Sequence, residues 1–179
     1  LRSLGLWRMT LGRLCLLGCA FLLGFTAGGG VKFVYESTTF KQYDWGHDPI
    51  VANCYGTDFD ETKIRNAIYY WNVRGYRTHR YIHQPSREIC DAPGMIPGFI
   101  ILRKATESDL EEQTLASTRR QTIGMSITAA EVLYRTGSFR LDLLSEHELG
   151  HAFGFSHIDE DGHIMHPMYN KMGKAFWMP

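Results

Sequence analysis

Three histidines at fixed spacing constrain this chain more than any other feature. They are His147, His151 and His157. Residues four apart on an α-helix project from the same face, so a helix here would point the imidazoles of His147 and His151 in one direction. Gly154 follows, and glycine readily adopts the positive φ that ends a helix. A turn at Gly154 would bring His157 to the same point. The segment therefore predicts a helix that ends in a turn and gathers three imidazoles.

This arrangement is typical of a catalytic zinc site. Zinc accepts imidazole nitrogens, and three protein ligands leave a fourth position open for water. Glu148 is rotated by about 100° from His147 on a helix. Its carboxylate would therefore lie beside the metal, where it could accept a proton from water. The short HExxH pattern is only suggestive alone, but Gly154 and His157 make the pattern specific.

The extended pattern resembles a known family signature. HExxHxxGxxH followed by a methionine resembles the metzincins, and Met-x-Pro-x-Tyr soon after the third histidine is most similar to the matrixins. The resemblance implies a zinc metalloendopeptidase with one catalytic zinc ion and a protein or peptide substrate. It also implies that Met165 is the Met-turn residue beneath the imidazoles, and that the outer wall of the S1′ pocket consists of Pro167, Met168 and Tyr169.

Some residues depart from the matrixin pattern. Ile158 follows the third histidine where matrixins usually have Ser, and residues 102–141 contain no recognisable counterpart of the family's structural zinc and calcium loop. A second zinc is therefore not predicted. Residues 159–161 are acidic and could bind calcium, but we expect a solvated turn there. Because three ligand positions are already filled, we expect His163 and His166 to be surface residues.

Local patterns predict an α+β domain with a mixed sheet. Strands are expected over residues 31–37, 81–84, 98–103 and 124–128. A capping box at Asp58 and Glu61 predicts the start of a first helix, whose buried face would contain Ile64, Ala67, Ile68 and Trp71. A second helix, capped by Ser138 or Asp142, would run toward Gly154.

The resemblance adds a metzincin-like architecture to this prediction. It implies a twisted sheet with a backing helix and an active-site helix, followed by a small, irregular C-terminal subdomain. The substrate would lie extended along an edge strand of the sheet. Residues 124–128 are our candidate for that edge strand.

The N-terminal segment indicates export. Residues 14–31 carry no charge and end in small residues, and they follow Arg2, Arg8 and Arg13. This pattern predicts a signal peptide over residues 1–30 and a catalytic domain over residues 31–179. An uncleaved membrane anchor formed by residues 14–31 is the alternative, because this run approaches the length that spans a bilayer. The protein is thus expected to be secreted or extracytoplasmic, or membrane-anchored if the segment is retained.

Two cysteines remain after the leader, Cys54 and Cys90. In an oxidising compartment such a pair most often forms a disulfide. The alternative is that one of them is a thiolate bound to the metal.

Composition narrows the partners. Lys and Arg total 19, as do Asp and Glu, so the formal net charge is zero. This balance argues against a nucleic-acid partner. We also expect the protein to be a monomer. Two other functions stay open: an inactive, zinc-bearing binding module at the cell surface, and a protease restricted to one partner. The retention of Glu148 favours an enzyme over the binding module.

Overall fold

The structure is a computed structural model that describes Lys41, residues 43–56 and residues 59–179. The predicted leader, the predicted strand over residues 31–37 and Asp58 lie outside these residues. All described residues belong to one unit, Glu36–Pro179. None of the helices within the described ranges is long and apolar enough to cross a bilayer.

The framework of the domain is one mixed, twisted sheet. Its strands are β1 (Asp44–Trp45), β2 (Ile50–Asn53), β3 (Arg80–His83), β4 (Phe99–Lys104), β5 (Ala116–Ile123) and β6 (Ser126–Tyr134). The order is β1-β6-β4-β2-β3, and β5 pairs with β6. All pairings are parallel except that of β5 with β6. The core of β4 is fully buried, which explains the continuous apolar run of the predicted strand over residues 98–103.

The edge strand differs from our prediction. Residues 124–128 are not the edge, because Gly124 has a φ of 60° and forms the hairpin turn with Met125, and β6 begins at Ser126. Strand β6 lies inside the sheet, between β5 and its other neighbours. The edge is the preceding strand β5, a mostly polar segment that is only partly buried. An exposed edge strand does not need the apolar alternation by which strands are recognised.

The first helix, α1 (Glu61–Asn72), buries the four predicted residues Ile64, Ala67, Ile68 and Trp71. Its N-cap is Asp60, whose carboxylate accepts a hydrogen bond from the Thr62 amide at 2.9 Å. The capping box that we predicted at Asp58 and Glu61 is therefore wrong, since Glu61 is already the first residue of the helix.

Trp71 connects α1 to the second long helix, α3 (Leu144–Ala152). Its side chain is fully buried, and its indole nitrogen donates to the Glu146 carbonyl oxygen at 2.7 Å. The indole also stacks on Phe155, with ring centroids 5.1 Å apart. Trp71 thus holds α3 against α1.

Helix α3 does not begin with a side-chain cap. Ser138 begins a separate 3-10 helix, Ser138–Arg140, and Asp142 is exposed, with its carboxylate 2.6 Å from Lys63 Nζ. Leu143 precedes α3 with a left-handed φ of 66°. Both predicted caps are therefore wrong, although the helix itself is confirmed.

The segments outside the sheet and the two long helices are short. Helix α2 (Arg87–Cys90) carries Cys90, which forms a disulfide with Cys54 at the end of β2. The disulfide is confirmed, and the alternative of a metal-bound thiolate is excluded. After α3 the chain is irregular apart from a 3-10 helix, Tyr169–Lys171. This part corresponds to the predicted C-terminal subdomain.

Candidate metal centre and cleft

The imidazoles of His147 and His151 converge as the helical spacing predicts. Helix α3 places them one turn apart, with 3.0 Å between their Nε2 atoms. His147 is buried and His151 is half-buried, so one side of the pair is closed by the protein.

The turn at Gly154 completes the group. Gly154 has a φ of 103°, and a Cβ atom there would lie 2.2 Å from the Tyr43 carbonyl oxygen. The chain reverses at this point and brings His157 Nε2 to 3.0 Å from His151 Nε2. Trp45 holds the start of the turn, because its indole nitrogen donates to the Ala152 carbonyl oxygen at 2.9 Å. Glycine is therefore required here by both conformation and space.

The hydrogen bonds of the imidazoles show which nitrogens face inward. His147 Nδ1 lies 2.8 Å from the Ile164 carbonyl oxygen, and His151 Nδ1 lies 2.9 Å from the Phe155 carbonyl oxygen. Since a carbonyl only accepts, both Nδ1 atoms carry the proton and both Nε2 atoms present a lone pair. Burial lowers the pKa of His147 to about 4 and lowers the pKa of His151 as well.

These rings therefore fit a divalent cation. Unprotonated nitrogens that face each other at 3.0 Å repel unless a positive charge lies between them. Tetrahedral zinc with Zn–N distances of about 2.0–2.1 Å separates its nitrogen ligands by about 3.3 Å. Within the described residues, His147, His151 and His157 are the one group of this kind whose ligand atoms all lie close enough to share an ion.

Glu148 lies beside this group and is held by a residue that the sequence did not single out. The Thr118 hydroxyl, on β5, contacts Glu148 Oε2 at 2.6 Å and the Glu148 carbonyl oxygen at 3.1 Å. Burial raises the pKa of Glu148 to about 7, and the hydrogen bond from Thr118 opposes this rise. A cation bound by the histidines would also favour the carboxylate.

Met165 packs beneath the helix that carries the ligands. It is fully buried, and a Cβ atom on Gly150 would lie 2.4 Å from its sulfur atom. The preceding residue, Ile164, supplies the carbonyl oxygen that orients His147. The Met-turn role that the resemblance implies for Met165 stays a prediction.

A cleft with a volume of about 560 Å³ opens in front of the three histidines and Glu148. Pro167, Tyr169 and residues 115–118 are all part of its lining. Met168 is 52% exposed and is not part of the lining, so its side chain departs from the predicted wall.

Arg120 is a second cleft residue that sequence reasoning missed. Its Nη1 atom donates to the His151 carbonyl oxygen at 2.7 Å, and its side chain lines the cleft. Thr118 and Arg120 stand two residues apart on β5 and therefore share one face of the strand. The sequence would have shown that Thr118 and Arg120 share a face only if residues 116–123 had first been recognised as the edge strand.

His163 and His166 are not surface residues, which corrects our prediction. Both are fully buried. His163 Nδ1 accepts the Met165 amide proton at 3.0 Å, and His166 Nδ1 accepts the Met168 amide proton at 2.9 Å. Each ring therefore carries its proton on Nε2, which faces the Trp177 carbonyl oxygen at 3.2 Å in His163.

The acidic segment after the third histidine is exposed, as expected. The Nε2 atom of His166 lies 3.1 Å from Asp159 Oδ1 and 3.4 Å from Asp161 Oδ1. That nitrogen carries the ring proton and faces the two carboxylates at ion-pair distance, but it does not have the geometry of a hydrogen bond to either of them. Asp161 also contacts Lys171 at 3.1 Å, which joins this segment to the C-terminal 3-10 helix.

Comparison with known proteins agrees with this geometry. The family model for the matrixins matches residues 16–178 of the chain. A search of curated proteins finds no match to the sequence.

Proposed function

The chain belongs to the matrixin family, and from this premise we propose that it is a zinc-dependent metalloendopeptidase with Glu148 as its general base. The observation that carries the proposal is the convergence of three imidazole Nε2 atoms beside a carboxylate in an open cleft. Zinc bound by His147, His151 and His157 would supply Lewis acidity, which lowers the pKa of water and stabilises negative charge on a substrate carbonyl oxygen.

The remaining work falls to residues of the chain. Glu148 accepts a proton from water as the water oxygen bonds to the scissile carbonyl carbon. Glu148 then delivers that proton to the peptide nitrogen, and the C–N bond breaks. Thr118 holds one carboxylate oxygen of Glu148 and leaves the other free for the proton.

Strand β5 supplies a place for the substrate. It pairs with β6 on one side, and no other strand of the described residues pairs with its outer row of backbone N–H and C=O groups, which could therefore accept an added strand. A peptide extended along β5 would pass the three histidines, with one of its side chains directed toward Pro167 and Tyr169.

The predicted leader and the disulfide support a location outside the cytoplasm. We propose that the protein is exported, either released after cleavage within residues 1–30 or tethered by residues 14–31. The Cys54–Cys90 disulfide supports an oxidising compartment. Sequencing the N-terminus of the protein recovered from an exporting host tests this, and an intact leader in a soluble cytoplasmic protein would contradict it.

The function is tested with the full chain and two glutamate variants. Glu148→Ala removes the proposed base, whereas Glu146→Ala removes a carboxylate of the same helix that does not line the cleft. Zinc per chain is measured after desalting, and cleavage of reduced, alkylated casein is followed with and without a chelator.

We expect one zinc ion in all three proteins and chelator-sensitive cleavage by wild type and Glu146→Ala. General acid–base catalysis contributes roughly 10²–10⁴-fold, so Glu148→Ala should lose activity by about that factor. Equal activity of Glu148→Ala and wild type would refute the role of Glu148. Zinc binding without cleavage by any of the three proteins would favour the inactive binding module or a protease restricted to one partner.

A further inference from the structure

Arg120 brings a positive charge into the cleft beside the candidate metal ligands. It is half-buried on β5, and it lines the cleft together with His151 and His157. Its contact with the His151 carbonyl oxygen places the guanidinium at the end of α3, where a cation is favourable. That contact partly stabilises the half-buried charge of Arg120, but it engages only one of the guanidinium nitrogens.

The charge of Arg120 is not neutralised within the described part of the chain. None of the ion pairs among those residues includes Arg120, whereas the adjacent Arg119 lies 3.8 Å from Asp109. Glu148, whose Oε2 is bonded to Thr118, is the single carboxylate in the cleft lining. A partly buried charge without a counter-ion is costly, and a bound zinc ion would make the cleft still more positive.

The free donors of Arg120 match a carboxylate. Guanidinium has five N–H donors in a planar fork, and the hydrogen bonds made among the described residues are donated by Nη1 to the carbonyl oxygens of His151 and Phe155. The fork binds carboxylates with two parallel hydrogen bonds. The carboxylate of a bound peptide would fit this group.

We propose that Arg120 is a specificity residue that binds the carboxylate of an Asp or Glu side chain in the peptide substrate. This inference rests on the proposed function and names a substrate class for the same cleft.

The strand geometry places the acidic residue. Thr118 contacts Glu148, and Arg120 lies two residues further along β5, about 7 Å away at 3.3–3.4 Å per residue. A peptide extended along β5 advances at the same rate. Pro167 and Tyr169 line the same cleft. The acidic side chain would therefore lie about two residues along the peptide from the position that faces Thr118 and Glu148.

The test compares matched peptides and matched arginine variants. Tryptic peptides of denatured bacterial proteins are digested with the full-length protein, and the residues around each cleaved bond are identified by mass spectrometry. The position, counted from the cleaved bond, at which Asp or Glu is most enriched is then chosen. Synthetic peptides with Glu at this position are compared with otherwise identical peptides that have Gln there. Arg120→Gln tests the proposed group, and Arg119→Gln is the control from the outer face of β5.

We expect wild type and Arg119→Gln to cleave the Glu peptide about tenfold faster, in kcat/KM, than the Gln peptide. In Arg120→Gln this ratio should fall to about one, and Arg120→Lys should keep part of the preference. Because the ratio is measured within each protein, a loss of stability or zinc in one variant does not imitate the result. Equal cleavage of both peptides by wild type would overturn the proposal and leave the protease function intact.

A binding measurement separates the proposal from the proposed function. Zinc-loaded Glu148→Ala is titrated with labelled nonapeptides in which one Glu, or one Gln, moves along an otherwise neutral sequence. We expect one Glu peptide to bind more tightly than its Gln counterpart, and we expect this difference to disappear in the double variant Glu148→Ala/Arg120→Gln. That result supports the role of Arg120 even if wild type cleaves nothing and the protease assignment fails. Equal binding of Glu and Gln peptides at every position would overturn the role of Arg120.

Discussion

Gly150→Ala is the substitution that tests most directly how the candidate metal centre is supported. Gly150 lies on α3 between His147 and His151, where alanine is normally the better helix former by about 1 kcal/mol. The added Cβ atom would lie 2.4 Å from Met165 Sδ and 2.6 Å from Trp71 Cζ2. Ordinary contacts between such atoms are about 3.5–4.0 Å, so both neighbours would have to move by about 1 Å.

Neither neighbour has room to move freely. Met165 and Trp71 are fully buried, and Trp71 is held by its hydrogen bond to the Glu146 carbonyl oxygen. Overpacking in such a core costs about 1–3 kcal/mol, and two clashes place Gly150→Ala near the upper end. After the gain in helix propensity, we expect a net loss of about 2 kcal/mol in the free energy of unfolding. For a domain of this size the melting temperature should fall by about 4–8 °C.

The assay is urea unfolding of the chelator-treated protein, with zinc affinity measured separately by competition with a coloured chelator. Gly46→Ala is the control, because no atom lies within 4 Å of its added Cβ, and its stability should change by no more than about 0.5 kcal/mol. Zinc affinity should fall only in Gly150→Ala, since a displaced Met165 shifts the neighbouring Ile164 carbonyl that orients His147. If both variants were equally stable and bound zinc equally well, our account of the support beneath the histidines would be wrong.

Three further predictions concern single contacts. Thr118→Val removes the hydrogen bond to Glu148 Oε2 and should lower kcat about tenfold with little change in KM. Thr118→Ser keeps a hydroxyl and should keep most of the activity. Unchanged steady-state kinetics in Thr118→Val would contradict this prediction. Replacing both Cys54 and Cys90 with Ser opens a loop that spans 36 residues and should cost about 4 kcal/mol in urea unfolding, while an equal midpoint would show that the disulfide adds no stability. Burial lowers the pKa of His163 below its ordinary 6.5, so its contribution to stability is present above pH 6.5 and is lost as the pH falls through the lowered pKa. Urea midpoints of the chelated protein at pH 7.5 and 5.5 should therefore differ less in His163→Gln than in wild type, and an equal difference would exclude His163 as a source of this dependence.

The candidate metal ligands could be predicted from the sequence because their geometry is local. His147 and His151 are related by one helical turn, and Gly154 marks the reversal that brings in His157. The buried face of α1 could be predicted for the same reason, since it depends on a period within one element. Each of these features needs no information about distant residues.

The rest of the site depends on topology and could not be read from spacing. Thr118 and Arg120 reach α3 from a strand about thirty residues earlier, and only the position of β5 at the edge of the sheet brings them there. His163 and His166 look like polar surface residues in the sequence. Both rings are buried, and their Nδ1 atoms accept nearby backbone protons, while their Nε2 atoms face oxygen atoms of other residues.

The contact between Trp45 and Ala152 joins residues 107 positions apart. Tyr43 lies against Gly154 over a similar separation, so the turn that carries His157 is closed by a segment more than about a hundred residues before it in the chain. Contacts of such long range form slowly, because a large loop must close before they gain any energy. During synthesis this turn cannot close until the 107 positions that separate the two residues have been made. The proposed metal centre would then stay incomplete on any chain interrupted between them.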